Sequence, residues 1–98
     1  MATLTATLDN DGVDLARGTI TGTFDTTEDG PPTADQIALI PSTGFIDSFE
    51  ASCEDGNGVL RVKPNFNSAN AAANGTVLVV ANHTESYTYR FIAHVRGL

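Results

Sequence analysis

Asp9-Asn10-Asp11-Gly12-Val13-Asp14 sets three carboxylates within six residues, and Ca²⁺ favours oxygen ligands gathered on a turn. Asp9, Asp11 and Asp14 are therefore the candidate metal ligands of this chain. Their spacing is not that of the EF-hand loop: glycine comes fourth, and Ile20 stands where a Glu is needed at the twelfth position. A turn between two strands explains the same residues, because Asp, Asn and Gly tolerate left-handed backbone and Asp and Asn bond to their own main chain. The turn is the preferred reading, and no metal or other cofactor is expected.

His83 and His94 are the only histidines, and no Cys/His spacing accompanies them of the kind that holds zinc. A Ser-His-Asp triad can be drawn on paper in any chain rich in Ser and Asp, but there is no Gly-x-Ser-x-Gly elbow to present a nucleophile. His94 falls on the polar phase of a strand and His83 in a turn, so both read as surface residues and the chain as non-enzymatic. The single cysteine, Cys53, has no internal disulfide partner; it lies on an inward phase and reads as a small hydrophobe. Asn74-Gly75-Thr76 and Asn82-His83-Thr84 match the glycosylation triplet, a match expected by chance in an Asn- and Thr-rich chain. The opening Met-Ala-Thr-Leu-Thr has no basic leader followed by an apolar core, so a secretory signal is not expected.

Charge narrows the partners. The net charge is −7, and phosphate recognition needs clustered Lys and Arg, so nucleic acid is disfavoured. From Met1 to Gly56 there are eleven acids and one base, Arg17, a balance of −10. From Asn57 to Leu98, Glu85 stands against Arg61, Lys63, Arg90 and Arg96, a balance of +3. Such halves can attract one another between copies, although acids crowding solvated loops produce the same tally. No apolar run exceeds five residues, Val77 to Ala81, so no membrane span is expected.

The elements that must carry these residues are strands. Ser86 to Gly97 alternates Tyr87, Tyr89, Phe91, Ala93 and Val95 with Thr88, Arg90, Ile92, His94 and Arg96. That period of two predicts a long strand with one apolar face. Ala2 to Leu8 alternates Leu4, Ala6 and Leu8 with Thr and reads as a first strand; Leu15 to Phe24 reads as a second. Gly18 and Gly22 within the latter point to a bulge or a close neighbouring backbone. Asp25 to Asp35, with Pro31-Pro32, reads as a solvated loop with room for a helical turn near Thr33 or Ala34. Gln36 to Ile40 is a short apolar strand. Gly44 to Cys53 alternates Phe45, Phe49, Ala51 and Cys53, with Asp47 interrupting that side and Ile46 breaking the other.

Asn57-Gly58 predicts a hairpin from that strand into Val59 to Lys63. Pro64 to Asn74 reads as a loop with at most one helical turn in its Ala run. Gly75 to Ala81, apolar on both faces, reads as a central strand, joined by a hairpin at Asn82 to Glu85 to the last one. About seven short strands in 98 residues predict a single all-β domain, residues 1–98, built as an antiparallel β-sandwich or barrel. Ile46 and Ile92 are the apolar residues on faces expected to be polar, which makes them interface candidates.

The Thr/Ala-rich opening Ala2-Thr-Leu-Thr-Ala-Thr-Leu8, the strand-rich middle and the ending Tyr87-Thr-Tyr-Arg-Phe-Ile-Ala-His-Val-Arg-Gly97 resemble the small all-β structural proteins of tailed bacteriophages, in particular capsid decoration or cement proteins. The likeness is one of style along the whole chain, and no functional residue carries over from it. It implies a virion protein on the outer capsid surface, assembled in the host cytoplasm. Such a protein would bind the major capsid protein or another virion protein, as a dimer or trimer, and brace the shell. On this reading Met1 to Leu8, including Leu4 and Leu8, and the loops Asp25–Asp35 and Pro64–Asn74 would make the contacts, since an open strand can add to a neighbour's sheet edge. A tail-tube, connector or fibre domain shares these features. A Ca²⁺-stabilised ligand-binding or adhesion module centred on Asp9, Asp11 and Asp14 is the other alternative.

Overall fold

A computed structural model describes residues 2–9, 18–28, 33–54, 60–67, 71–83 and 85–97. Eight strands follow in order: β1 (Thr3–Leu4), β2 (Thr7–Leu8), β3 (Thr19–Asp25), β4 (Thr33–Ala38), β5 (Phe45–Cys53), β6 (Leu60–Phe66), β7 (Ala72–Ala81) and β8 (Thr88–Arg96). They form two four-stranded sheets, ordered β1-β4-β7-β6 and β2-β3-β8-β5, packed as a sandwich. No helix is long and apolar enough to cross a membrane among these residues.

The last strand organises one sheet. β8 lies between β3 and β5 and buries Tyr89, Phe91, Ala93 and Val95 while Arg90, Ile92, His94 and Arg96 face outward. Its inward rings stack with those of its neighbours: Phe24 on Tyr89 at 5.5 Å between centroids and Phe49 on Phe91 at 5.1 Å. Truncating any of these phenylalanines should destabilise the fold by about 3–5 kcal/mol. Facing them are Leu4, Ile37, Val77 and Val79 of the other sheet. There β7 takes the central place expected of a strand apolar on both faces.

Ala2 to Leu8 is not one strand. Its first part, β1, pairs in parallel with β4, Leu4 opposite Ile37, whereas β2 pairs antiparallel with β3, Leu8 opposite Gly22. The segment thus leaves the edge of one sheet and joins the edge of the other, and the β1–β4 pair departs from the expected all-antiparallel arrangement. Gly22 makes the crossing possible, since a Cβ there would run into the Thr7 carbonyl oxygen. Gly18, at φ +70°, lies equally close to the Val95 carbonyl. Both glycines bear out the expected close backbone.

Other expectations are corrected. The end of the supposed loop Asp25–Asp35 is strand: β4 begins at Thr33 and buries Thr33, Asp35 and Ile37, with no helical turn, and it stops at Ala38 rather than Ile40. The buried Asp35 disguised the alternation. Both ends of the supposed loop Pro64–Asn74 are likewise strand, with β6 running to Phe66 and β7 starting at Ala72, and Ala72 and Ala73 are extended; residues 68–70 lie outside the described residues. β6 is an edge strand, where the missing Pro64 donor is tolerated. Neither expected hairpin forms, because β5 and β6, and β7 and β8, belong to different sheets. Each pair of strands is instead divided between the two sheets, with the apolar phases of both turned toward one core; Asn57-Gly58 itself lies outside the described residues.

In β5 the pairing with β8 slips between Ile46 and Ser48, leaving Asp47 as a bulge. The bulge inverts the phase. Ile46 and Phe49 both point into the core, and Phe45 turns outward, where the Arg96 guanidinium lies 4.7 Å from its ring centroid.

Candidate protein-contact face

The outer face of the β2-β3-β8-β5 sheet is written by the polar phases of its strands. Thr19, Thr21 and Thr23 of β3, then Arg90, Ile92 and His94 of β8, then Ser48, Glu50 and Ser52 of β5 stand in three cross-strand rows. Ile92 forms the middle row with Thr21 and Glu50, and it is the exposed large hydrophobe among the described residues, at 37% of its free surface. An open depression beside it is lined by Asp9, Thr21, Glu50, Ser52 and Arg90.

The cations of this face are held in place. Arg90 donates from Nε to Glu54 at 2.9 Å and from one terminal nitrogen to Asp9 at 2.9 Å, so it ties the end of β2 to the end of β5 across β8. The hydrogen bond to Glu54 and the charge of Asp9 hold its pKa above the ordinary value. At the far end Arg96 donates from Nε to Asp47 at 2.7 Å while covering Phe45. Exposed pairs of this kind contribute about 0–1 kcal/mol each to stability. Their effect here is to orient the charged side chains around Ile92.

The candidates from the sequence are dispersed. Asp9 is engaged by Arg90, while Asp11 and Asp14 lie outside the described residues. Among the described residues no group of three His, Cys, Asp or Glu side chains could hold a metal ion. Leu4 and Ile46 are core residues, with 9% and 1% exposure, so neither offers a contact surface. Leu8 is half-buried against the core, and Ile92 alone of the four interface candidates is exposed. Cys53 is half-buried and unbridged.

His94 is exposed as expected. His83 is not a free surface residue. Its ring accepts from or donates to the Tyr89 hydroxyl at 2.9 Å through Nε2 and contacts the Glu85 carbonyl at 2.8 Å through Nδ1. A carbonyl only accepts, so Nδ1 carries the proton, and in the neutral ring Tyr89 donates to Nε2. The Asp9–Arg90–Glu54 cluster escaped the sequence reading because its members are far apart in the chain; Arg90 on the polar phase was its only visible signal.

The opposite outer face, of the β1-β4-β7-β6 sheet, has another chemistry. Its rows are Ala34, Val80 and Arg61, then Gln36, Leu78 and Lys63, then Ala38 and Thr76. Leu78 and Val80 line a groove with Arg61 and Lys63 on its β6 side, and no acid stands in these rows.

No protein-family model matches the sequence, and neither the curated proteins nor the solved structures show a match.

Proposed function

We propose that this chain is a non-enzymatic structural subunit of a tailed-phage virion. It docks on the outer surface of the assembled shell and stabilises it, with the outer face of the β2-β3-β8-β5 sheet as its protein-contact face. The observation that carries the reading is Ile92, an exposed isoleucine in the middle row of a sheet face whose arginines are already ion-paired. An apolar centre within a polar rim is the anatomy of a protein interface. Side chains fixed in advance lose less freedom on binding. The virion as the setting comes from the resemblance of the chain to capsid decoration proteins.

The test is co-sedimentation of the purified protein with emptied heads of the tailed phage whose genome encodes it. Saturable binding in fixed proportion to the shell subunit is expected, weakened about tenfold or more by Ile92→Asp at the interface centre. Heads that bind Ile92→Asp as well as the parent protein would remove this face from the account. Heads that bind neither would remove the virion role.

A further inference from the structure

We propose that the two outer faces of the sandwich are complements, so that copies of this chain stack with the β1-β4-β7-β6 face of one on the β2-β3-β8-β5 face of the next. This rests on the reading above: the Ile92 face left open at the end of a stack docks on the shell, and a second copy covers the Ile92 face of every other subunit.

Two pairs of side chains carry the complementarity. On one face Ile92 of β8 stands directly across from Glu50 of β5. On the other, half-buried Val80 of β7 stands directly across from Arg61 of β6, and Lys63 follows two residues away beside Leu78, which at 4% exposure forms the floor of the groove. Directly opposed residues of an antiparallel pair lie about 5 Å apart. Each face therefore presents an apolar group and a charge at the same spacing, and the charges are opposite. Glu50, unlike Asp9, Asp47 and Glu54, forms no ion pair among the described residues, and neither do Arg61 and Lys63.

Setting one sheet face on the other brings Ile92 against Val80 and Glu50 to Arg61 and Lys63. The rest of the tally agrees. Outward positions on and beside the Ile92 sheet hold Asp9, Asp25, Asp47, Glu50 and Glu54 against Arg90 and Arg96, whereas the rows of the Leu78 face hold Arg61 and Lys63 and no acid. A like-to-like contact of the Arg61 and Lys63 face would set only cations together, and one of the Ile92 face would oppose two surfaces each in excess of acid, both of which are disfavoured. The contact is thus heterologous. Such contacts propagate into rings or open stacks rather than closing at a dimer.

The experiment is sedimentation of the full chain over a concentration series at about 10 mM and about 1 M salt, where screening lengths differ by roughly tenfold. The mean mass should climb past the dimer at low salt and fall towards the monomer at high salt. Glu50→Lys alone and Arg61→Glu/Lys63→Glu alone should each weaken association by about tenfold or more, while an equimolar mixture of the two variants should restore it. All these positions are exposed, and far-ultraviolet circular dichroism verifies that both variants fold. A wild-type chain that stays monomeric, a closed dimer, or a mixture that fails to associate would overturn the stacking. If the chain is monomeric while Ile92→Asp still loses binding to phage heads, the stacking falls and the structural reading stands. If Ile92→Asp binds heads normally, that reading falls whatever the chain does in solution.

Discussion

Asn65 and Ile46 are joined by a pair of hydrogen bonds. The Asn65 Oδ1 accepts from the Ile46 N–H at 3.0 Å, and its Nδ2 donates to the Ile46 carbonyl at 2.9 Å. The side-chain amide thus stands in for a residue of a neighbouring strand, pairing with the main chain of β5 just before the Asp47 bulge. Asn65 is itself where β6 slips against β7, and it takes φ 65°, a left-handed conformation that Asn tolerates better than most residues. Two irregular edge strands, one from each sheet, are stitched where neither can continue its ladder. The β1–β2 crossing joins the sheets on the opposite side.

Replacing Asn65 should therefore rank by two separate terms. Asn65→Ala leaves the Ile46 N–H and carbonyl unpaired and puts a Cβ at positive φ without the local bonding of Asn, for a loss of about 2–4 kcal/mol. Asn65→Gly removes the same bonds but relieves the backbone, so its loss should be smaller by about 1 kcal/mol. Urea unfolding of the two variants checks the order; Ala equal to or better than Gly would show that the backbone term is absent.

Gly22→Ala should act on the N-terminal segment in particular. The new methyl meets the Thr7 carbonyl oxygen, and the Phe91 ring edge lies 3.1 Å away. Relief requires β2 to leave β3, while the seven-residue pairing of β3 with β8 can persist. The expected outcome is faster amide hydrogen exchange and proteolysis confined to residues 2–9, with overall stability lowered by about 1–3 kcal/mol. Uniform loosening of all strands would contradict this assignment.

What was legible in the sequence follows from how local each determinant is. β8 could be read residue by residue because nine residues keep one phase and both neighbours pair with it without slipping along most of its length. β5 could not, since Asp47 inserts a step and Ile46 then appears to break a pattern it in fact completes. β4 was hidden by Asp35, a carboxylate in an inward position whose partners, Ala2 and Thr27, are not apparent from the sequence around it. The Asn57-Gly58 signal is local, and the need to turn two apolar faces toward one core outweighs it. For the candidate contact face, alternation was enough to find Ile92. The ion pairs that fix its surroundings join residues up to 81 positions apart and leave no periodic trace.

Asp35 governs the anchoring of β1. Its Oδ1 accepts from the Ala2 N–H at 3.0 Å and its Oδ2 from the Thr27 hydroxyl at 2.9 Å, while the Gln36 N–H donates to the Ala2 carbonyl at 3.0 Å. Asp35→Ala strands both donors in a site where Asp35 itself is 1% exposed, a loss of about 1–3 kcal/mol. The Gln36 amide should then exchange markedly faster, because the chain it bonds to is no longer held. Asp35→Asn retains an acceptor for Ala2 and should fall between. Unchanged Gln36 exchange in Asp35→Ala would show that β1 is held by its ladder alone.

Tyr89 makes the stability of the fold depend on alkaline pH. Burial, reinforced by the neighbouring Cys53 and Tyr87 when these are charged, pushes its pKa up to about 12 from 10.0. The unfolded chain therefore sheds the Tyr89 proton first. Across the window from about 10 to about 12 it binds fewer protons than the folded chain, so stability falls as pH rises through that range and is fully present below it. Tyr89→Phe removes this titration and also the hydrogen bond to His83, which should lower stability at neutral pH by about 1 kcal/mol while flattening the alkaline decline. Urea midpoints of both proteins from pH 7 to pH 11 test the point by their difference, which cancels the groups the two proteins share. The two curves should converge as pH rises; parallel curves would mean that the Tyr89 hydroxyl ionises as readily in the folded protein as in the unfolded chain.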